Sequence, residues 1–136
     1  MIYGKHLMLR IGDIEKTISL KNEKTISDFL ELLVNRIGMR VLAGPLVGYE
    51  SGEKSKEGCS GLILLYESHA AIHTYVNQKE AFIDIFSCKE FDKNTVFIVI
   101  AEVFGKFTII EEKVLIRGDH WDKGLNLEYD EWKTKK

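Results

Sequence analysis

Proline is almost missing from this chain of 136 residues: Pro45 is the only one. Cysteine is nearly as scarce, with Cys59 and Cys88 alone. Two thiols are too few for a disulfide framework, and their spacing makes no metal-ligand pair, so both are expected to be reduced. Long apolar runs are absent as well. The longest uncharged apolar stretch, Gly61 to Tyr66, is far too short to cross a bilayer. Neither sign of charge dominates: 19 Lys and Arg against 21 Asp and Glu give a net charge of −2. No basic field is present to attract nucleic acid or an anionic membrane, and neither is expected as a partner. Residues 1 to 6, Met-Ile-Tyr-Gly-Lys-His, lack the basic-then-apolar layout of a signal peptide. His6, His69, His73 and His120 form no trusted ligand spacing, so no metal is expected. The expectation is one cytoplasmic domain, residues 1–136, with one core.

What is present is a series of short periodic segments. Residues 6 to 11 alternate as a strand and Gly12-Asp13 ends it. Lys21 to Lys24 reads as a polar loop, with Ser27 as a helix N-cap after it. Phe29, Leu30, Leu33, Val34 and Ile37 repeat at helical spacing, and Gly38 is the stop. Val41 to Tyr49 reads as a strand interrupted by Pro45, which suggests an edge or a bend. Glu50 to Gly58 reads as a mobile loop. Three strand candidates follow, Gly61 to Tyr66, Ala70 to Val76 and Glu80 to Ser87. The last two flank the polar turn Asn77-Gln78-Lys79 and so form a hairpin. Asp92 or Asn94 caps a second helix that Gly105 ends, and Phe107 to Ile116 returns as a strand. The polar stretch from Gly118 holds Trp121, Tyr129 and Trp132 as candidate anchors. The fold class expected is α+β: a two-layer sandwich, with a mostly antiparallel sheet and two helices on one face. Phe82, Asp84 and Phe86 share one face of the hairpin and Ile83 and Ile85 the other, so both faces carry apolar groups. A second subunit is one way to cover the spare face.

Chemistry-bearing residues concentrate between positions 59 and 88. A turn centred near Gln78 sets Ser68 opposite Cys88 and His73 opposite Ile83, within a slip of a residue or two. Taken singly, each has an ordinary structural explanation. A lone buried cysteine is usually a small hydrophobe, and a serine at a strand end is usually a turn residue.

Taken together they carry a resemblance. Glu67-Ser68-His69, then Ile72-His73-Thr74, then Asp84-Ile85-Phe86-Ser87-Cys88 match the E-S-H, I-H-T and D-x-F-S/T-C elements of the prokaryotic S-adenosylmethionine decarboxylase proenzymes, at the same intervals. Gly4-Lys5-His6 resembles that family's opening strand, and Ser60 stands eight residues before Ser68, where the family also has a serine. The resemblance implies a pyruvoyl-dependent, self-cleaving enzyme. Ser68 would attack the Glu67 carbonyl and become a covalent pyruvoyl group, giving a β chain, 1–67, and an α chain, 68–136. That group would form a Schiff base with the substrate amine and accept electrons as carbon dioxide leaves. The family's assisting serine and histidine match Ser60 and His73, and its proton donor matches Cys88. A thiol of ordinary pKa, about 8.5, is protonated near neutrality and suits a general acid. By the same resemblance the partner is a second copy, in a homodimer of αβ units with the site near the interface. The product would be the aminopropyl donor for spermidine synthesis.

The match thins at the substrate. Where the family has W-P-E after I-H-T, this chain has Tyr75, Val76 and Asn77, and the position two after Ser68 is the small Ala70. Lys89 replaces a glycine that often follows the cysteine. Asn77, Ala70 and Tyr49 are therefore the candidates for substrate binding. The same chemistry on arginine or ornithine remains an alternative, with Glu50, Glu80 or Asp84 facing the distal cation. A catalytically inactive family member acting as a binding partner is another.

Overall fold

The computed structural model describes residues 4–117. Trp121, Tyr129, Trp132 and His120 lie outside the described residues. The elements are β1 (Gly4–Gly12), a 3-10 turn (Thr17–Lys21), α1 (Glu23–Arg36), β2 (Val41–Glu50), β3 (Gly58–Leu65), β4 (Ser68–Tyr75), β5 (Glu80–Ser87), α2 (Lys93–Phe104) and β6 (Thr108–Arg117). The six strands form one sheet in the order β2-β3-β4-β5-β1-β6. Every neighbouring pair is antiparallel.

The cause of this layering is the alternation along the strands. Ala81, Ile83 and Ile85 of β5 are fully buried, as are Ile63 of β3 and Ile72 of β4. They meet Ile26, Phe29, Leu30 and Leu33 of α1 and Val96, Val99, Ile100 and Phe104 of α2 in one core. The Phe29 and Phe104 rings, 5.0 Å apart between centroids, join the two helices. Leu46, Leu62, Leu64 and Phe82 point the other way and stay exposed. The fold is thus the expected α+β sandwich, with one sheet face left open. β2 is an edge strand, as its proline suggested, and its register on β3 shifts on both sides of Ala43.

Two local expectations are corrected. Helix α1 starts at Glu23 and not after Ser27. Asn22 is the cap, its side chain accepting a hydrogen bond from the Thr25 amide at 3.0 Å. The supposed polar loop, 21–24, is the end of the 3-10 turn, the cap and the first two residues of the helix, and Ile26 extends the apolar stripe by a turn. The β4–β5 hairpin is also offset by one residue from the expected register. A four-residue loop, 76–79, joins the strands, so Ser68 pairs with Ser87 and His73 with Phe82. For α2, Asp92 is the cap, accepting from the Asn94 amide at 2.9 Å, and Gly105 at φ 75° ends the helix.

Candidate active site

The first part of the site is a turn. Leu65 pairs with Ser68, so β3 and β4 are joined by only two residues, Tyr66 and Glu67. Two-residue hairpin loops favour turn types with positive φ at a central residue, usually supplied by glycine or asparagine. Neither residue is present, and neither Tyr66 nor Glu67 takes positive φ. The distortion falls one residue later: Ser68 has φ 152°. For a residue with a Cβ, that conformation costs about 1–3 kcal/mol and persists only where its surroundings enforce it.

Those surroundings are specific. The Cys88 amide donates to the Glu67 carbonyl oxygen at 3.0 Å. The Glu67 carboxylate, which belongs to a buried residue, accepts from the Arg40 amide at 3.0 Å and from Arg40 Nε at 3.1 Å. The Tyr66 amide donates to the Arg40 carbonyl at 3.0 Å, and the Arg40 guanidinium lies 4.9 Å from the Tyr66 ring centre. The Arg40 amide first, and its guanidinium after it, hold the Glu67 carboxyl below the usual carboxylate range. Cys88 itself is exposed, just past the end of β5 and diagonal to Ser68. Ser87 beside it is buried, exchanging hydrogen bonds with the backbone of Lys89, and Lys89 Nζ donates to the Gly38 carbonyl at 2.9 Å.

The second part is a pair. Ser60 on β3 sits opposite His73 on β4, with Oγ 2.9 Å from Nδ1. Both are on the open face of the sheet. Their register depends on Gly58, where a Cβ would lie 1.8 Å from the Thr74 carbonyl oxygen, so only glycine lets the strands approach there. Thr74 fixes the opposite side: its hydroxyl accepts from the Cys59 amide at 2.8 Å and donates to the Leu20 carbonyl at 2.5 Å. Beside the pair is a mostly apolar cavity of about 510 Å³ lined by Leu46, Val47, Gly48, Leu62 and Ala71.

The expected site residues therefore fall into two pairs. Ser68 and Cys88 are neighbours, and Ser60 and His73 are neighbours. Ser68 and His73 are not: five residues apart on one strand, they are separated by about 16 Å. Three candidates for substrate binding are not brought to either pair. Ala70 is fully buried on the helix side of the sheet. Asn77 uses its amide to hold the 51–57 loop, donating to the Lys54 carbonyl at 2.6 Å, with Gln78 donating to the Ser55 carbonyl at 2.8 Å. That loop is tied down where the sequence suggested a mobile one. Tyr49 pairs across to Cys59 on the helix side, and its hydroxyl is bonded to Glu57, which with burial pushes its pKa up to about 12. Asp84 is half-buried on the open face, while Glu80 is bound to Arg10 at 2.8 Å. The two features that sequence reasoning missed are the Tyr66-Glu67 turn and Arg40. The turn has no glycine to announce it, and Arg40 is one exposed cation among 19 basic residues.

Comparison with known proteins shows the family. The family profile described as S-adenosylmethionine decarboxylase matches residues 5–118. The chain belongs to that family. A relative from Methanococcus aeolicus, an S-adenosylmethionine decarboxylase proenzyme, is 33% identical over 87 residues, covering 64% of this chain and 69% of the relative. One of the same description from Archaeoglobus fulgidus is 26% identical over 93 residues, covering 68% and 78%. The crystal structure of the adenosylmethionine decarboxylase from Aquifex aeolicus VF5 superposes with a TM-score of 0.64 over 86% of this chain and 92% of that one. At 20% identity, that likeness is evidence for the fold alone. Among the described residues no group of three or more His, Cys, Asp or Glu side chains could hold a metal, and no helix is long and apolar enough to cross a membrane.

Proposed function

We propose that this proenzyme cuts itself between Glu67 and Ser68 and that the processed protein decarboxylates S-adenosylmethionine. The observation that carries the reading is the Cys88 amide on the Glu67 carbonyl, at 3.0 Å, next to a serine held at φ 152°. Ser68 Oγ attacks the Glu67 carbonyl carbon. The Cys88 amide donates to the oxyanion that forms there. The peptide C–N bond breaks as the ester C–O bond forms, and the freed nitrogen takes the hydroxyl proton. Loss of the Ser68 Cα proton then expels the Glu67 carboxylate, and water replaces ammonia to leave a ketone. The turn suits a group made in this way, because the only part of the chain that must change is already strained. When present, the pyruvoyl ketone supplies an electron sink for the departing carboxylate. Cys88, exposed beside residue 68, returns a proton to the substrate carbon.

Processing and decarboxylation then require the second pair. His73 with Ser60 is the matching base, yet about 16 Å along the strand separates it from Ser68 of its own chain. Two open sheet faces packed together would cover the exposed Leu62, Leu64 and Phe82, and a second copy is this reading's source for the His73 that serves Ser68. This reading makes the enzyme a homodimer with two shared sites. The mostly apolar cavity beside Ser60 and His73 contains no carboxylate, whereas a second cavity of about 250 Å³ against the same pair is lined by Glu50, the kind of group the distal cation of arginine or ornithine would need.

Denaturing intact mass of freshly purified protein, beside a Ser68→Ala variant, tests the reading. Two fragments are expected from the wild type, the C-terminal one lighter by an ammonia than simple hydrolysis would give. An uncleaved wild-type chain, or cleavage that persists in Ser68→Ala, overturns it.

A further inference from the structure

We propose that Arg40 is a positioning residue for self-cleavage, acting through Glu67 and Tyr66; this rests on the reading of Glu67–Ser68 as the scissile bond. Arg40 stands in the linker between α1 and β2 and is 27 residues from Glu67 in sequence. It contacts the turn at four points. Its amide and its Nε each hold one oxygen of the Glu67 carboxylate, its carbonyl accepts from the Tyr66 amide, and its guanidinium covers the Tyr66 ring. The Glu67 carbonyl is held from the other side by Cys88. The residue before the scissile bond is therefore gripped by its side chain and by its main chain from two different elements.

The grip has a physical purpose. A two-residue turn of Tyr66 and Glu67 has no intrinsic preference for the conformation seen here, and left to itself would relax Ser68 back to negative φ. Acyl shift needs Oγ near the carbonyl carbon, and small losses of such alignment cost large factors in rate. The Glu67 side chain is only 9% exposed while that of Arg40 is 73% exposed. Arg40 adds little to the core. A carboxylate so buried needs a hydrogen-bonded cation, which the guanidinium supplies. Lys89 braces the same linker from the Cys88 side through the Gly38 carbonyl, so both walls of the turn share one support.

The test is the rate of self-cleavage, followed by intact mass from the newly folded precursor. Arg40→Ala keeps the backbone contacts and loses the guanidinium; it is expected to cut tenfold or more slowly while still folding to the native circular-dichroism spectrum. Arg40→Lys restores a charge without the planar guanidinium and its Nε donor and is expected to fall between. Ethylguanidinium at tens of millimolar should speed the Ala variant and not the wild type, which a merely structural role would not produce. The double variant Arg40→Ala with Glu67→Gln should be slowed by clearly less than the product of the two single slowdowns, because Arg40 acts largely through Glu67. Arg40→Ala and Arg40→Lys both cutting at the wild-type rate, or slowdowns that multiply in the double variant, overturn the inference. A wild type that does not cut between Glu67 and Ser68 removes the function reading itself, a distinguishable result.

Discussion

Substituting Ser68 by glycine and by alanine separates strain from chemistry, because neither replacement can cut the chain. Ordinarily glycine is the worse of the two, since it loses more conformational freedom on folding, by about 0.5–1 kcal/mol. At residue 68 the order should reverse. With φ at 152°, a Cβ is held where glycine is at ease, at a cost of about 1–3 kcal/mol. Subtracting the entropy term leaves glycine ahead by roughly 0–2.5 kcal/mol. Urea unfolding of the two uncleaved proteins, with the slope checked for equality, gives the difference directly. Ser68→Ala proving more stable than Ser68→Gly would refute the argument: the turn would then be relaxed and store nothing for the cleavage step.

Further outcomes follow from the same geometry. If His73 acts across the dimer, a His73→Ala chain should fail to process alone but be cut when co-expressed with Ser68→Ala, whose intact His73 serves it. Failure of that rescue, with mixed dimers verified by mass, would place the base elsewhere. In the native protein one thiol should react with iodoacetamide at pH 8, at Cys88. Cys59 is 1% exposed and burial pushes its pKa up to about 11, so peptide mapping that found it labelled at a similar rate would contradict the fold. Thr74→Val keeps the shape but strips partners from the Cys59 amide and the Leu20 carbonyl. At about 1–3 kcal/mol for each unmet buried group, urea unfolding should show a loss of roughly 2–6 kcal/mol, whereas Thr74→Ser should keep most of that stability.

What could be read from the sequence was whatever depended on local periodicity and caps. Strand β5, both helix stripes, the Asp92 cap and the Gly38 and Gly105 stops all follow from residues next to one another. The candidate set Ser60, Ser68, His73 and Cys88 could be picked out because its intervals are long and specific. Two kinds of feature were not reachable. The first is register at turns without turn chemistry: Tyr66 and Glu67 look like the end of a strand and a stray acid. Without that turn nothing pairs Ser60 with His73. The second is contact between distant elements. Neither the insertion of β1 between β5 and β6 nor the reach of Arg40 to Glu67 leaves a trace in spacing. Asn22 lies between these cases, since its capping chemistry was visible but a second plausible cap, Ser27, stood five residues further on.

The two halves of the site are coupled through a single ladder. The register that sets Leu65 opposite Ser68 also sets Ser60 opposite His73, at the far end of the same strand pair. The tight turn at one end and the Gly58 approach at the other are therefore not independent requirements. A one-residue slip at the turn would carry every β4 side chain to the opposite face, sending His73 into the core and exposing Ile72. The fully buried Ile72 and Ile83, opposite each other on β4 and β5, oppose such a slip. Hydrophobic burial on the helix side thus fixes where the polar chemistry appears on the open side. Leu46, Leu62 and Ala71, which line the cavity beside Ser60 and His73, are not among the buried contacts that oppose the slip.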